Sequence, residues 1–265
     1  MSTTGSGRSC RWDGMTHKRT QILGQHMLTD SETIDYEVAL ARPDGERVLE
    51  IGGGTGNLTA AILDKAKQVT TIEIDIDMIY ELKQRFKGKR KLKIVEADFL
   101  DVPANEYKAD IIMGNIPYSA SSPILFRLRE WKFERAVLCV QKEFAERMVA
   151  RPATDDYSRL SVMSQIYFNP VFLKAVSKSC FDPVPKVDSA IILLFPNNEK
   201  INPERDRLIT NLFVHKRRTL AAALKSREFT DDEKKRVLDR AGSLGLAEKR
   251  IFQLSVEEII SLVKH

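Results

Sequence analysis

The chain is poor in cysteine and has no long apolar run. Its 265 residues include only Cys10, Cys139 and Cys180, which are too far apart for the paired spacing of a zinc site or a redox dithiol. An odd, scattered set suits a reducing compartment. The expectation is therefore no disulfide, no structural metal and a cytoplasmic location. The apolar stretch Ile191-Ile192-Leu193-Leu194-Phe195 has the length of a buried strand, far short of the roughly 20 residues that cross a bilayer. The first residues lack the charged-then-apolar order of a secretory signal, so no membrane association is expected. Neither sign of charge dominates. Lys plus Arg number 42 against 37 Asp plus Glu, for a net +5. This modest basic lean favours polyanionic partners but does not by itself name one.

What is present is an alternation of strand and helix patterns. Residues 1–17 are rich in Ser, Thr, Gly and Arg without an apolar period and read as a disordered extension. A basic-to-apolar lead-in, KRTQILGQHML, covers Lys18 to Leu28. Thr29 and Glu32 then have the spacing of a capping box, and the helix they would open ends at Pro43-Asp44-Gly45. Strands are predicted at Arg47–Ile51, Val69–Ile74, Leu92–Val95, Ala109–Gly114 and Ala136–Val140. Helices are predicted between and after them, at Gly56–Lys67, Asp77–Phe86, Ser122–Arg129 and Glu143–Ala150. Unbroken apolar strands separated by helices of this length imply a buried parallel sheet. Leu160–Tyr167 reads as a further helix. Val171–Ser177 and Val187–Phe195 read as a closing strand pair around Phe181-Asp182-Pro183-Val184-Pro185. From Pro203 onward only helical spacing recurs, through Leu208, Leu212, Leu220, Leu224, Val237, Ile259, Ile260 and Val263. The expected organisation is a main α/β domain over residues 18–200 and a small all-helical domain over 201–265.

The first predicted strand runs into Glu50-Ile51-Gly52-Gly53-Gly54-Thr55-Gly56. Glycines let a backbone pass close to a ligand, and the crevice beyond the strand ends is where α/β sheets bind one. A dinucleotide fingerprint needs glycine at its first, third and sixth places. Counting from Gly52, the sixth place is Asn57, so a dehydrogenase fits poorly. An acidic residue before G-x-G-x-G suits S-adenosylmethionine (SAM), with Glu50 near the cationic methionine end. Glu73, 23 residues after Glu50, ends the second strand, where a carboxylate accepts ribose hydroxyls. Asp98 ends the third strand, placed to accept the adenine amine, with Phe99 to pack on the ring. Each acid alone would more often be a helix cap or a solvated surface residue; their order and spacing together point to one site.

The fourth strand ends in Asn115-Ile116-Pro117-Tyr118. An adenine amine is a poor nucleophile because its lone pair is delocalised into the ring. The Asn115 oxygen and a main-chain oxygen at Ile116 or Pro117 would accept its N–H bonds and draw the nitrogen toward tetrahedral geometry. Tyr118 would stack on the base. The sulfonium is a good leaving group, so orientation and electrostatics suffice without a strong base. The base must leave any stack to reach such a pocket. Phe181 is a candidate for its opposite wall, or else a core aromatic at the start of a strand.

Together these residues resemble the ribosomal RNA adenine dimethyltransferases, which modify two adjacent adenosines near the 3′ end of small-subunit rRNA. The resemblance runs from about Lys18 to Leu220. It is carried by GQHML (Gly24–Leu28), EIGGGTG (Glu50–Gly56), EID (Glu73–Asp75), EAD (Glu96–Asp98), NIPY (Asn115–Tyr118), YSRLSV (Tyr157–Val162), FDPVPKVDSA (Phe181–Ala190) and HKRRTL (His215–Leu220). It implies a Rossmann-like SAM-dependent methyltransferase sheet with a small helical C-terminal domain. Gln25, His26, Leu28, Glu50, Gly52, Gly54, Glu73, Ile74, Asp98, Phe99 and Asn115 would form the cofactor site. Asn115, Pro117, Tyr118 and Phe181 would form the catalytic pocket. His26 and the Ile of NIPY, where bacterial-looking members carry Asn and Leu, point to the archaeal or eukaryotic branch. The implied partner is small-subunit rRNA in a pre-ribosomal 30S-like particle, met by a monomer.

The basic run Lys83, Arg85, Lys87, Lys89, Arg90, Lys91 and Lys93 reads first as a solvated helix end. Lys216-Arg217-Arg218 is the better candidate for phosphate contacts, with Lys18-Arg19 a further one. Two other functions stay open: methylation of a single adenine in large-subunit rRNA, and a non-catalytic nucleic-acid-binding factor on the same fold.

Overall fold

The computed structural model describes residues 26–197 and 199–263. The expected extension at 1–17, the Lys18-Arg19 pair and Gln25 lie outside the described residues. Five strands form the parallel heart of a seven-stranded sheet: β2 (Arg47–Ile51), β3 (Gln68–Glu73), β4 (Leu92–Glu96), β5 (Ile111–Asn115) and β6 (Arg135–Gln141). Two longer strands, β7 (Phe168–Val176) and β9 (Ser189–Pro196), close one edge in antiparallel pairings, giving the order β4-β3-β2-β5-β6-β9-β7. The chain leaves β2 toward β3 and returns to β5 on the other side of β2. This reversal of strand order opens a crevice at the carboxyl ends of β2 and β5.

A smaller antiparallel ladder was not foreseen. β1 (Met27–Leu28) pairs with β8 (Phe181–Asp182), placing Leu28 opposite Phe181. It fastens the lead-in segment to the proline-rich loop between β7 and β9.

The helices follow the predicted alternation with shifted ends. The first, α1 (Ser31–Ala41), is capped by Asp30, which accepts from Thr33 N, rather than by a Thr29–Glu32 box. Asp30 wins because the Thr29 amide and hydroxyl are both already directed at Cys180 O. Helix α2 (Asn57–Leu63) stops well before Lys67, because Ala66 leaves the helix to bridge Asp44. α3 (Ile76–Arg85), α4 (Ser121–Leu128), α5 (Lys142–Met148) and α6 (Arg159–Tyr167) complete the layers over the sheet.

Beyond β9 come only helices: α7 (Pro203–Val214), α8 (Leu220–Ala223), α9 (Asp231–Ser243) and α10 (Val256–Val263). Their buried Leu208, Leu212, Leu220, Leu224, Val237 and Ile259 join the same apolar cluster as Leu138 and Ile192 of the sheet. The helical part thus packs as a continuation of one face of the sheet. Asp206 of α7 reinforces the junction. It accepts from the Tyr167 hydroxyl at 2.6 and 2.8 Å and pairs with Arg129 at 2.5 Å, with both charged side chains about 15% exposed. Asp206→Ala leaves a phenol and a guanidinium without their acceptor. It is expected to lower the unfolding free energy read from a urea titration by about 2–3 kcal/mol, more than loss of a surface ion pair would.

Candidate active site

A cavity of about 220 Å³ opens at the ends of β2, β3 and β5. The predicted residues His26, Gly52, Gly54, Glu73, Ile74, Asp98, Phe99, Asn115, Pro117, Tyr118 and Phe181 all line it. Two do not. Leu28 is buried in the β1–β8 ladder behind the wall, and Glu50 is fully buried behind the glycine loop. Met27, Cys139 and Ser189 also line the cavity and were not singled out by sequence. Met27 and Ser189 sit inside motifs that were (GQHML and FDPVPKVDSA), so the signal was present but unresolved.

Local geometry explains the loop. Gly52 and Gly54 have φ of +78° and +50°, in the left-handed region where a Cβ is penalised. A Cβ on Gly54 would also stand 2.7 Å from the Met27 sulfur. The Glu73 carboxylate supports the loop from below. It accepts from Gly54 N at 2.8 Å and from Ile74 N and Asp75 N at 2.9 Å. Burial pushes its carboxyl above the usual range, and these amide donors oppose the shift. Oε1 takes both the Ile74 and Asp75 amides, and Oε2 takes only Gly54 N, so Oε2 keeps a lone pair free to accept a ribose hydroxyl. Asp98 accepts from Leu100 N at 2.8 Å, which turns its carboxylate at the cavity rim. Phe99 is braced by Trp131, with ring centroids 5.3 Å apart.

On the other side of the cavity, Asn115 Oδ1 is buried without a hydrogen-bond partner. A buried acceptor left open at the mouth of a sheet is costly unless a ligand N–H meets it. Tyr118 is held by a 2.9 Å hydrogen bond between its hydroxyl and Ser189 Oγ, and burial raises its pKa. The His26 ring lies 5.7 Å from the Tyr118 ring, and its Nδ1 is 2.6 Å from Pro183 O. Phe181, 5% exposed, closes the facing wall. The glycine cradle, the carboxylates at successive strand ends and the orphaned amide acceptor fit a nucleoside-bearing methyl donor beside an amine acceptor.

The remaining motifs are structural as well as basic. The Tyr157 hydroxyl donates to Leu254 O at 3.0 Å and Ser161 Oγ to Arg147 O at 2.5 Å, fastening YSRLSV to its neighbours. In the basic run, Lys83 pairs with Glu96, Arg85 donates to Thr55 O, Lys91 donates to Ala66 O, and Lys93 lies over the Tyr107 ring. Those four are engaged locally, as a solvated helix end would be. Lys216 donates to Asp155 O, while Arg217 and Arg218 are exposed.

Fold and site together define a Rossmann-like SAM-dependent methyltransferase. The chain belongs to the ribosomal RNA adenine dimethylase family, whose model matches residues 16–263. It is 41% identical over 245 residues to a probable ribosomal RNA small subunit methyltransferase A of Thermococcus gammatolerans, covering 91% of this chain and 87% of that one. An Arabidopsis thaliana ribosomal RNA small subunit methyltransferase is 38% identical over 213 residues, covering 77% of this chain and 60% of that one. Among solved structures, a dimethyladenosine transferase from Plasmodium falciparum superposes with a TM-score of 0.81 at 35% identity, covering 90% of this chain and 96% of that one. The 23S rRNA methyltransferase ErmE gives 0.66 at 31% identity, covering 89% and 97%. Among the described residues no helix is long and apolar enough to cross a membrane.

Behind the glycine loop lies a group that sequence reasoning overlooked. Glu37 of α1 is 1% exposed and neither of its carboxyl oxygens has a partner. It follows Ile34 by three and precedes Ala41 by four, a helical spacing that already puts it on the buried face. Burial pushes its pKa up to about 8, helped by Glu50. Burial likewise lifts Glu50 to about 8, against a 2.6 Å hydrogen bond from Thr59. A carboxyl raised above its unfolded value binds more protons in the folded state, so stability is full below the unfolded pKa and is lost as pH rises through the folded one. Glu37→Gln, neutral at every pH, is expected to raise the melting temperature at pH 8 by several degrees and to change it little at pH 5; each kcal/mol is worth about 2–4 °C at this size. Thermal scans at the two pH values check the sign.

Proposed function

We propose that this chain transfers two methyl groups in turn to N6 of each of two adjacent adenosines near the 3′ end of small-subunit rRNA. It acts as a monomer on a 30S-like pre-ribosomal particle in the cytoplasm. The observation that carries the reading is the buried, unpartnered Asn115 Oδ1 in the same cavity as Gly52 and Gly54. When bound, SAM supplies a methyl group on a sulfonium, which needs no strong base to leave.

The protein's part is orientation. An adenine flipped out of its stack lies between Tyr118 and Phe181, stacking being worth roughly 1–3 kcal/mol per base. Asn115 Oδ1 accepts one N–H of the amine. Pro117 O already accepts from Ala120 N and Ser121 Oγ, so Ile116 O is the main-chain acceptor for the other. Two acceptors draw the nitrogen lone pair out of conjugation and aim it toward the glycine loop. Once the methyl is on, the nitrogen sheds one proton to solvent, one N–H remains, and Asn115 holds it for the second transfer.

A route for the strand is supported by a cleft of about 570 Å³ on the far side of α4, where Arg147, Arg159 and Lys216 stand beside Phe126, Phe144 and Phe213. Cations among aromatic faces suit a single strand better than a duplex.

The test is methylation of undermethylated small subunits by purified protein, with mass mapping of the product. Dimethylation of two adjacent adenosines near the 3′ end is expected. Absence of label on adenosine, or a methyl on large-subunit rRNA alone, contradicts the proposal. Tyr118→Ala is expected to bind the subunits and fail to methylate them.

A further inference from the structure

Asn57 opens α2 directly after the glycine loop, at the place where a dinucleotide fingerprint would have glycine. Its side chain faces two ways. Nδ2 donates to Leu28 O at 3.1 Å, and Oδ1 accepts from Arg85 at 3.0 Å. The same Arg85 nitrogen donates to Thr55 O at 2.5 Å within the glycine loop. A guanidinium only donates. It therefore fixes the amide with oxygen toward Arg85 and NH2 toward Leu28.

Leu28 is the residue that the other half of the site also holds. It pairs with Phe181 in the β1–β8 ladder, and the next residues, Thr29 and Asp30, both donate to Cys180 O. One residue earlier, Met27 rests against Gly54 where a Cβ would lie 2.7 Å from its sulfur. The strap His26–Leu28 thus spans the cavity. Met27 and the Asn57 hydrogen bond seat it on the cofactor loop, and Phe181 ties it to the wall of the base pocket.

We infer that Asn57 is a positioning residue: its carboxamide, oriented by Arg85, latches the strap so that the cofactor loop and the Phe181 wall are set together. The inference rests on the reading of this cavity as the methyl-donor site and adds a residue that touches neither substrate. The latch needs a donor toward Leu28 O, which aspartate lacks. Aspartate keeps the acceptor for Arg85 and is favourable in the first turn of a helix. Asn57→Asp therefore removes one hydrogen bond without weakening α2.

The experiment is calorimetric titration of SAM into the full chain and its variants. For Asn57→Asp the dissociation constant is expected to rise by roughly 5- to 10-fold, the loss of one part-buried hydrogen bond, with the melting temperature lowered by no more than about 2–4 °C. In the methylation assay KM for SAM rises likewise, while kcat at saturating SAM is kept, because bound cofactor reseats the strap. Arg85→Met frees the amide to rotate and is expected to give a smaller rise. It also stands in if Asn57→Asp proves unstable. Wild-type affinity in both variants overturns the latch. A wild-type protein that binds SAM but methylates no rRNA would overturn the proposed function and leave the calorimetric result intact.

Discussion

The site depends on β2 and β5 lying side by side with their carboxyl ends level. Val48, Leu49 and Glu50 are in register with Ile111, Ile112 and Met113. One strand then delivers the glycine loop and the other delivers Asn115. The closeness is bought at Gly114, where a Cβ would stand 2.5 Å from Ile51 O. Any side chain there pushes against backbone, which cannot yield as a flexible side chain does, and separates the glycine loop from Asn115. The short path between the two halves of the cavity therefore follows from strand pairing and one missing methyl group.

Around that fixed pair the walls come from distant sequence. The strap at 26–28 and the loop at 181–189 meet only in the folded chain, through a two-residue ladder and hydrogen bonds to Cys180 O. Phe181, Tyr118 and Ser189 face the cavity because β9 runs antiparallel to β6 and returns the loop to the mouth of β5. The C-terminal helices share the apolar cluster of the sheet and carry Lys216 into the cleft beside α4. The cavity and the basic cleft are thus built on one continuous apolar core.

Much of this was legible in the sequence. Strand positions were, because buried parallel strands leave unbroken apolar runs, and the glycine loop and NIPY were, because each is contiguous. Helix ends were less so. Asp30 displaced Thr29 as cap because a tertiary contact had claimed Thr29, and no local pattern records that. Leu28 and Glu50 belong to motifs that mark the site, yet they face away from its cavity. A motif shows which segment approaches, and the pleat decides which side chains point in. Glu37 was readable from its helical spacing, but a buried unpaired acid is rare enough that the polar reading prevails by default. The Asn57 latch needed three segments brought together, and only the fold supplies that.

The central claim is that Asn115 Oδ1, open in the protein alone, is satisfied by the reacting amine. The most direct measurement is the single-turnover methyl-transfer rate of Asn115→Ala on undermethylated small subunits with SAM saturating. The account predicts a fall of about 100-fold or more, the scale of losing one preorganised hydrogen-bonding group from a reaction centre. A rate within a few-fold of wild type would contradict it.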